Sequence, residues 1–165
     1  MVLAGIFIAA AFQPNEFKVQ RKALYRAKPA ALFAQFSDFH AWASWSPWEK
    51  LDPAMKRTFS GAARGKGAAY AWEGNDKVGT GNMLITEVVE PSKVVLELNF
   101  LKPFEGHNKT EFGFEAKGES TELTWIMTGP MPFISKVICL FVSMDKMIGK
   151  DFEKGLENLR PLVER

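Results

Sequence analysis

Between Lys56 and Thr128 the chain divides into six short stretches of β character whose separators leave room for hairpins and nothing longer. The stretches are Lys56 to Ala62, Ala68 to Glu73, Thr80 to Val89, Lys93 to Leu101, Lys109 to Ala116 and Glu122 to Thr128. Their separators are turn chemistry: Gly65-Lys66-Gly67, Gly74-Asn75-Asp76, Glu90-Pro91-Ser92, Lys117-Gly118-Glu119 and finally Gly129-Pro130. Parallel neighbours would need crossovers of a dozen or more residues, so the spacing predicts an antiparallel meander. Alternation puts Tyr70 and Trp72, Met83 and Ile85, Val94, Leu96, Leu98 and Phe100, Phe112 and Phe114, and Leu123, Trp125 and Met127 on one face. The opposite face, with Glu73 or Glu97, Asn99, Lys109, Glu111, Glu115, Thr124 and Thr128, reads as solvated.

Upstream, Phe17 to Arg26 alternates without Gly or Pro and suits an opening strand. Pro29 is pre-set for a first helical position, and Leu32, Phe33 and Phe36 recur at helical spacing, which predicts a short amphipathic helix over Pro29 to Phe36. A second short helix, capped by Ser37 or Asp38, carries Phe39, Trp42 and Trp45 at three-residue intervals. Pro47 disfavours helix at Ser46 and throws Trp48 onto a turn. The stretch His40 to Pro53 thus holds three of the five tryptophans. Trp42 shares a face with Phe39 and is expected in the core, whereas Trp45 and Trp48 flank the proline as candidate pocket walls.

Pro132 opens a C-terminal helix expected to reach about Leu159, with Gly149 as the candidate break. Its stripe is Ile134, Val137, Ile138, Phe141, Asp145, Ile148, Phe152, Leu156 and Leu159. Asp145 sits badly on such a stripe, since a buried unpaired carboxylate is costly. Either it faces a ligand, or Ser143 begins a new helical segment and makes Asp145 a first-turn residue, or a nearby Lys or Arg pairs with it; the structural alternatives carry the greater weight. Val137 to Val142 is apolar almost all round, more than one buried stripe requires, which raises an interaction face and a homodimer. Cys139, the single cysteine, excludes an internal disulfide and reads as a buried, inert thiol.

At 165 residues and 47% hydrophobic composition the chain supports one cored domain, taken as residues 15–165. A net charge of +2 without a basic block argues against nucleic acid as a partner. Residues 1–14 are an apolar segment; as a helix the first twelve would span roughly 18 Å against a hydrocarbon layer of ~30 Å, and no positive n-region precedes them. The reading favoured is the remnant of a membrane anchor, with membrane association through residues 1–12. A terminal segment packing on the fold or on a neighbour, in a cytoplasmic protein, is the alternative. No nucleophile elbow, zinc motif or phosphate loop is present, and no His, Cys or carboxylate cluster has ligand spacing, so neither metal nor cofactor is expected. Of the two histidines, His107 falls in a predicted turn and His40 lies beside the tryptophans.

The order of one strand, two short helices, six strands and a long helix is that of the helix-grip fold: α+β, a seven-stranded curved antiparallel sheet wrapping the last helix. The stretches Phe39 to Pro53, Phe100 to Phe112 and Met144 to Leu159 also resemble the polyketide cyclase/dehydrase-like branch of the START-like (SRPBCC) superfamily. That resemblance implies a hydrophobic small molecule held between sheet and C-terminal helix. It carries over no catalytic residue, because no catalytic motif is shared across the superfamily. The expectation is therefore a non-catalytic binder of a lipid- or polyketide-like ligand, its pocket lined by Trp45, Trp48, Tyr70, Trp72, Phe100, Phe112, Trp125 and Phe141, with Asp145 as polar anchor. Two alternatives stand beside it: a cyclase or hydrolase using Asp145, Tyr70 or His40 for proton transfer, and a protein-interaction module using the apolar C-terminal helix.

Overall fold

The structure is a computed structural model that describes residues 8–164; the first seven residues of the apolar N-terminal segment lie outside the described residues, so the membrane-anchor expectation is met or refuted by nothing in the fold. Seven strands, β1 (Glu16–Tyr25), β2 (Lys56–Gly61), β3 (Ala68–Glu73), β4 (Thr80–Val89), β5 (Lys93–Lys102), β6 (Gly106–Lys117) and β7 (Ser120–Pro130), form one sheet. Its order is β1-β7-β6-β5-β4-β3-β2, and every pair is antiparallel. The meander follows from the hairpin spacing, as expected. Only β1 comes from elsewhere in the chain, pairing with β7 along its whole length, Phe17 opposite Gly129 and Tyr25 opposite Thr121. Register shifts within β4 increase local twist and let the apolar face turn concave. His107 is a correction to the sequence reading. Strand β6 starts at Gly106, so His107 stands within a strand and its Nδ1 lies 2.8 Å from Asn99 Oδ1.

Helix α1 (Pro29–Phe36) begins at its proline and buries Leu32, Phe33 and Phe36. The expected second helix is shorter than its three-residue repeat suggests: a 3-10 turn, Phe39–Ala41, whose His40 amide donates to Asp38 Oδ1, then a single α-turn, α2 (Trp42–Trp45). Pro47 ends it and a further 3-10 turn, Trp48–Lys50, follows.

The C-terminal helix departs more. It is two helices, α3 (Phe133–Cys139) and α4 (Met144–Val163), and the break falls at residues 140–143 rather than at Gly149. Ser143 is extended, with φ −73° and ψ 127°, and Asp145 lies in the first turn of α4. Helix α4 packs on the concave face through Gly149, Phe152, Gly155, Leu156, Leu159 and Val163. Gly149 is no hinge but a recess: a Cβ there would overlap the guanidinium of Arg21, which rises from the inner face of β1. That guanidinium grips the start of α4, Nε donating to Glu153 at 2.7 Å and Nη1 to Asp145 at 2.7 Å. Asp145 is thereby corrected from pocket anchor to half-exposed ion-pair partner. Arg21 holds the Asp145 carboxyl below the usual aspartate range. A carboxylate depressed in this way contributes stability above its unfolded pKa and loses it as pH falls through the folded one. Arg21→Met is accordingly expected to lower Tm by about 2–4 °C at neutral pH, with the gap to wild type closing below about pH 4; thermal melts at both pH values check this.

The other apolar expectations for this region are also revised. Phe141 is 72% exposed and Ile134 67%, and Ile138 and Val142 are exposed as well, because the break turns α3 off the sheet. Cys139 is half-buried rather than buried. Residues 8–11 are helical, and just after the N-terminal segment Asn15 ties the entry of β1 to the C-terminal region: its carbonyl accepts from Met131 N at 2.7 Å and its Oδ1 from Lys136 Nζ of α3 at 2.6 Å. No helix among the described residues is long and apolar enough to cross a membrane.

Candidate functional site

Two halves of the concave face are filled differently. Towards α1, Phe36 packs 4.4 Å from Phe112 and 4.7 Å from Trp45, centroid to centroid, and Phe33 meets Phe114 edge-on. From Phe152 onward in α4, Phe152 stacks on Trp125 at 3.9 Å, Gly155 brings the helix backbone against Trp125 and Pro47, and the Tyr25 hydroxyl donates to Leu156 O at 2.8 Å. Nothing equally large covers the other end. Of the described residues of α4, Met144, Ile148 and Asp151 border it, and a cavity of about 530 Å³ remains, in the range usual for small-molecule sites.

Its walls are Trp72, Met83, Leu96, Leu98, Phe100, Thr110, Trp125 and Met127 from the sheet, with Trp42, Trp48 and Met55 closing one side. The mouth is formed by Lys77 to Gly79, Lys102 to Gly106, Met131 and Ser135. Gly81 is needed here, since a Cβ at that position would stand 2.5 Å from the Trp72 ring.

Of the residues read from the sequence as ligand-lining, Trp48, Tyr70, Trp72, Phe100 and Trp125 border the cavity. Trp45, Phe112, Phe141 and Asp145 do not. Trp45 is fully buried in the filled half, its Nε1 donating to Gln35 O and its carbonyl accepting from Asn158 Nδ2. Phe112 is fully buried under Phe36, Phe141 points outward beyond the helix break, and Asp145 is held by Arg21. Trp42, expected in the core, is buried there with its ring 5.3 Å from that of Phe39, and it also borders the cavity. A three-residue repeat over one turn groups Trp42 with Trp45 but leaves open which of them faces the filled side.

The sequence reading missed Glu49, Asp151 and Thr110. Thr110 was accessible by extending the inward alternation of Phe112 and Phe114 one step back along β6; Glu49 and Asp151 have no local signal. Tyr70 donates to Glu49 Oε1 at 2.5 Å, and Glu49 Oε2 accepts from Arg57 Nε at 2.7 Å. Burial, reinforced by the Glu49 carboxylate, pushes the Tyr70 hydroxyl well above the usual phenol range, so Tyr70 is a neutral donor. Burial likewise raises Asp151, with Lys154 partly offsetting it. The sign is opposite to that of Asp145: a raised carboxyl favours its neutral form in the fold, so its penalty appears as pH rises through the folded pKa. Asp151→Asn is expected to raise Tm by about 1–3 °C at pH 7 and to leave it unchanged below about pH 4; a lower Tm at pH 7 would refute the penalty.

Of the groups named for proton transfer, Tyr70 alone borders the cavity. His40 lies outside, stacked 4.1 Å from Phe59 and bonded to Asp38, and Asp145 faces Arg21. Among the described residues no group of three or more His, Cys, Asp or Glu side chains could hold a metal ion.

Residues 16–164 match the sequence profile of a family described as polyketide cyclase / dehydrase and lipid transport. No curated protein is significantly similar. Among solved structures, a Chromobacterium violaceum protein is 17% identical with a TM-score of 0.63, covering 93% of this chain and 99% of its own. The Aha1 dimer from Colwellia psychrerythraea is 11% identical with a TM-score of 0.63, covering 90% and 96%. Ginseng major latex-like protein 151 from Panax ginseng is 12% identical with a TM-score of 0.62, covering 88% and 96%. At these identities the likeness concerns the fold.

Proposed function

The chain belongs to the polyketide cyclase / dehydrase and lipid transport family, and on that premise we propose that it binds an apolar, lipid- or polyketide-sized molecule in the cavity between the sheet and α4. One observation carries this reading. A domain of this size normally closes its core, yet here about 530 Å³ stays unfilled behind walls of tryptophan, phenylalanine, leucine and methionine. The contact residues we propose are Trp42, Trp48, Tyr70, Trp72, Phe100 and Trp125. Chemistry on the ligand is the weaker reading, since Tyr70 is a neutral phenol committed to Glu49. The test is native mass spectrometry of freshly purified protein together with a Nile red titration. A co-purified adduct, or saturable dye binding displaced by an apolar competitor, supports the reading; neither in a fully folded sample sinks it.

A second reading is favoured by α3, where Phe133, Ile134 and Ile138, followed by Phe141 and Val142, leave apolar surface exposed. This face would join a second copy of the chain. Light scattering on the eluting protein should then give twice the monomer mass and Phe141→Asp half of it, whereas a monomer in both cases removes the homodimer.

A further inference from the structure

Among the described residues, three buried side-chain polar atoms lack a hydrogen-bond partner: Trp42 Nε1, Thr110 Oγ1 and Trp125 Nε1. All three belong to residues that line the cavity. The buried indoles of Trp45 and Trp72 are satisfied: Trp45 Nε1 donates to Gln35 O and Trp72 Nε1 to Val78 O at 2.9 Å. The orphans also cluster. Thr110 stands two residues before Phe112 on β6, Trp125 pairs with Phe112 across β7, and the Trp42 ring lies 6.0 Å from that of Phe112. They therefore surround one ring, at the inner end of the cavity where it meets the filled core.

An indole N–H can only donate, and a threonine hydroxyl can donate or accept. Leaving such groups buried and unpaired is expensive, so whatever occupies this end should bring an acceptor. The charge of that acceptor is constrained as well. Cationic lining residues, Lys77 and Lys102, are exposed at the mouth, while Glu49 and Asp151 put carboxylates along the walls. Arg57 is already committed to Glu49, so a carboxylate head driven inward would meet no uncommitted cation among the described lining residues away from the mouth, which disfavours it. Resting on the binding function proposed above, we infer that the ligand is a neutral apolar molecule whose buried end carries a carbonyl oxygen, as in a ketone, ester, lactone or quinone, received by Trp42, Trp125 and Thr110.

Three probes of matched shape test this: benzophenone, diphenylmethane and diphenylacetate, each titrated by displacement of Nile red from the intact protein. The ketone should bind about tenfold or more tightly than the hydrocarbon, the worth of one hydrogen bond to an otherwise unsatisfied buried donor, with the carboxylate weakest. Thr110→Val should shrink the ketone's advantage several-fold while leaving diphenylmethane affinity unchanged. Trp42→Phe should do the same and serves if the first variant does not fold. The infrared carbonyl stretch of bound benzophenone should move to lower frequency and move back in both variants. Equal affinity for ketone and hydrocarbon, tightest binding of diphenylacetate, or an unaltered ketone advantage in both variants overturns the carbonyl assignment and leaves apolar binding standing. Failure of all three probes to displace a bound dye likewise overturns the carbonyl assignment, and failure of the dye to bind, with no co-purified adduct, overturns the proposed function.

Discussion

Trp45→Ala is expected to remove about 3–5 kcal/mol of folding stability, the range found when a large buried aromatic is truncated. The residue is fully buried, its ring within 5.7 Å of those of Phe36, Trp42 and Trp125, and its indole N–H is bonded to Gln35 O. Three elements meet on it, because Asn158 of α4 also bonds its carbonyl. Domains are typically stable by about 5–15 kcal/mol, so the variant sits near the unfolding threshold. Urea denaturation measures the loss. The folded fraction should nonetheless keep its affinity for an apolar probe, since Trp45 lies behind Trp42 rather than on the cavity. A loss below about 1.5 kcal/mol, or selective loss of probe affinity in a fully folded sample, would show that the tryptophan corner has been placed wrongly.

Leu98→Trp should have the opposite signature. Leu98 points inward from the middle of β5, opposite Met83 and Asn108, and borders the cavity. An indole there extends into unfilled space rather than into packed side chains, so overpacking costs are small and extra apolar area is buried. Probe affinity is expected to fall at least about 30-fold, roughly 2 kcal/mol, while the urea midpoint holds or rises. Leu84→Trp, on the outer face of β4 and already exposed, is the control and should leave affinity unchanged. Binding to Leu98→Trp at wild-type affinity would mean that the ligand sits elsewhere.

Much of the sheet was legible because hairpin spacing and two-residue alternation are local properties. Tyr70, Trp72, Phe100 and Trp125 could be placed on one face by counting alone, and that face is the one bordering the cavity. The tryptophan corner was harder. Its spacing made neighbours of Trp42 and Trp45, but the choice between them is made by Phe36 and Phe112, which occupy the space beside Trp45 from another helix and another strand. The C-terminal stripe failed for a related reason. Helical spacing continues through residues 140–143 on paper, whereas the chain leaves the helix at Leu140 and restarts after Ser143, stranding Phe141 in solvent.

Asp145 marks the division most clearly. Its unsuitability for an apolar stripe is visible in the sequence, and so are the two structural ways out of it. That its partner is Arg21, 124 positions away on the first strand, is not. The sequence by itself determined the meander, the concave apolar face and the family, since each depends on the identity and spacing of neighbours along the chain. Tertiary structure alone decided that the face is filled at one end and hollow at the other. A cavity is the difference between the volume enclosed by β1, α1, α4 and the meander and the volume of the side chains sent into it, and that difference has no value until the elements are brought together.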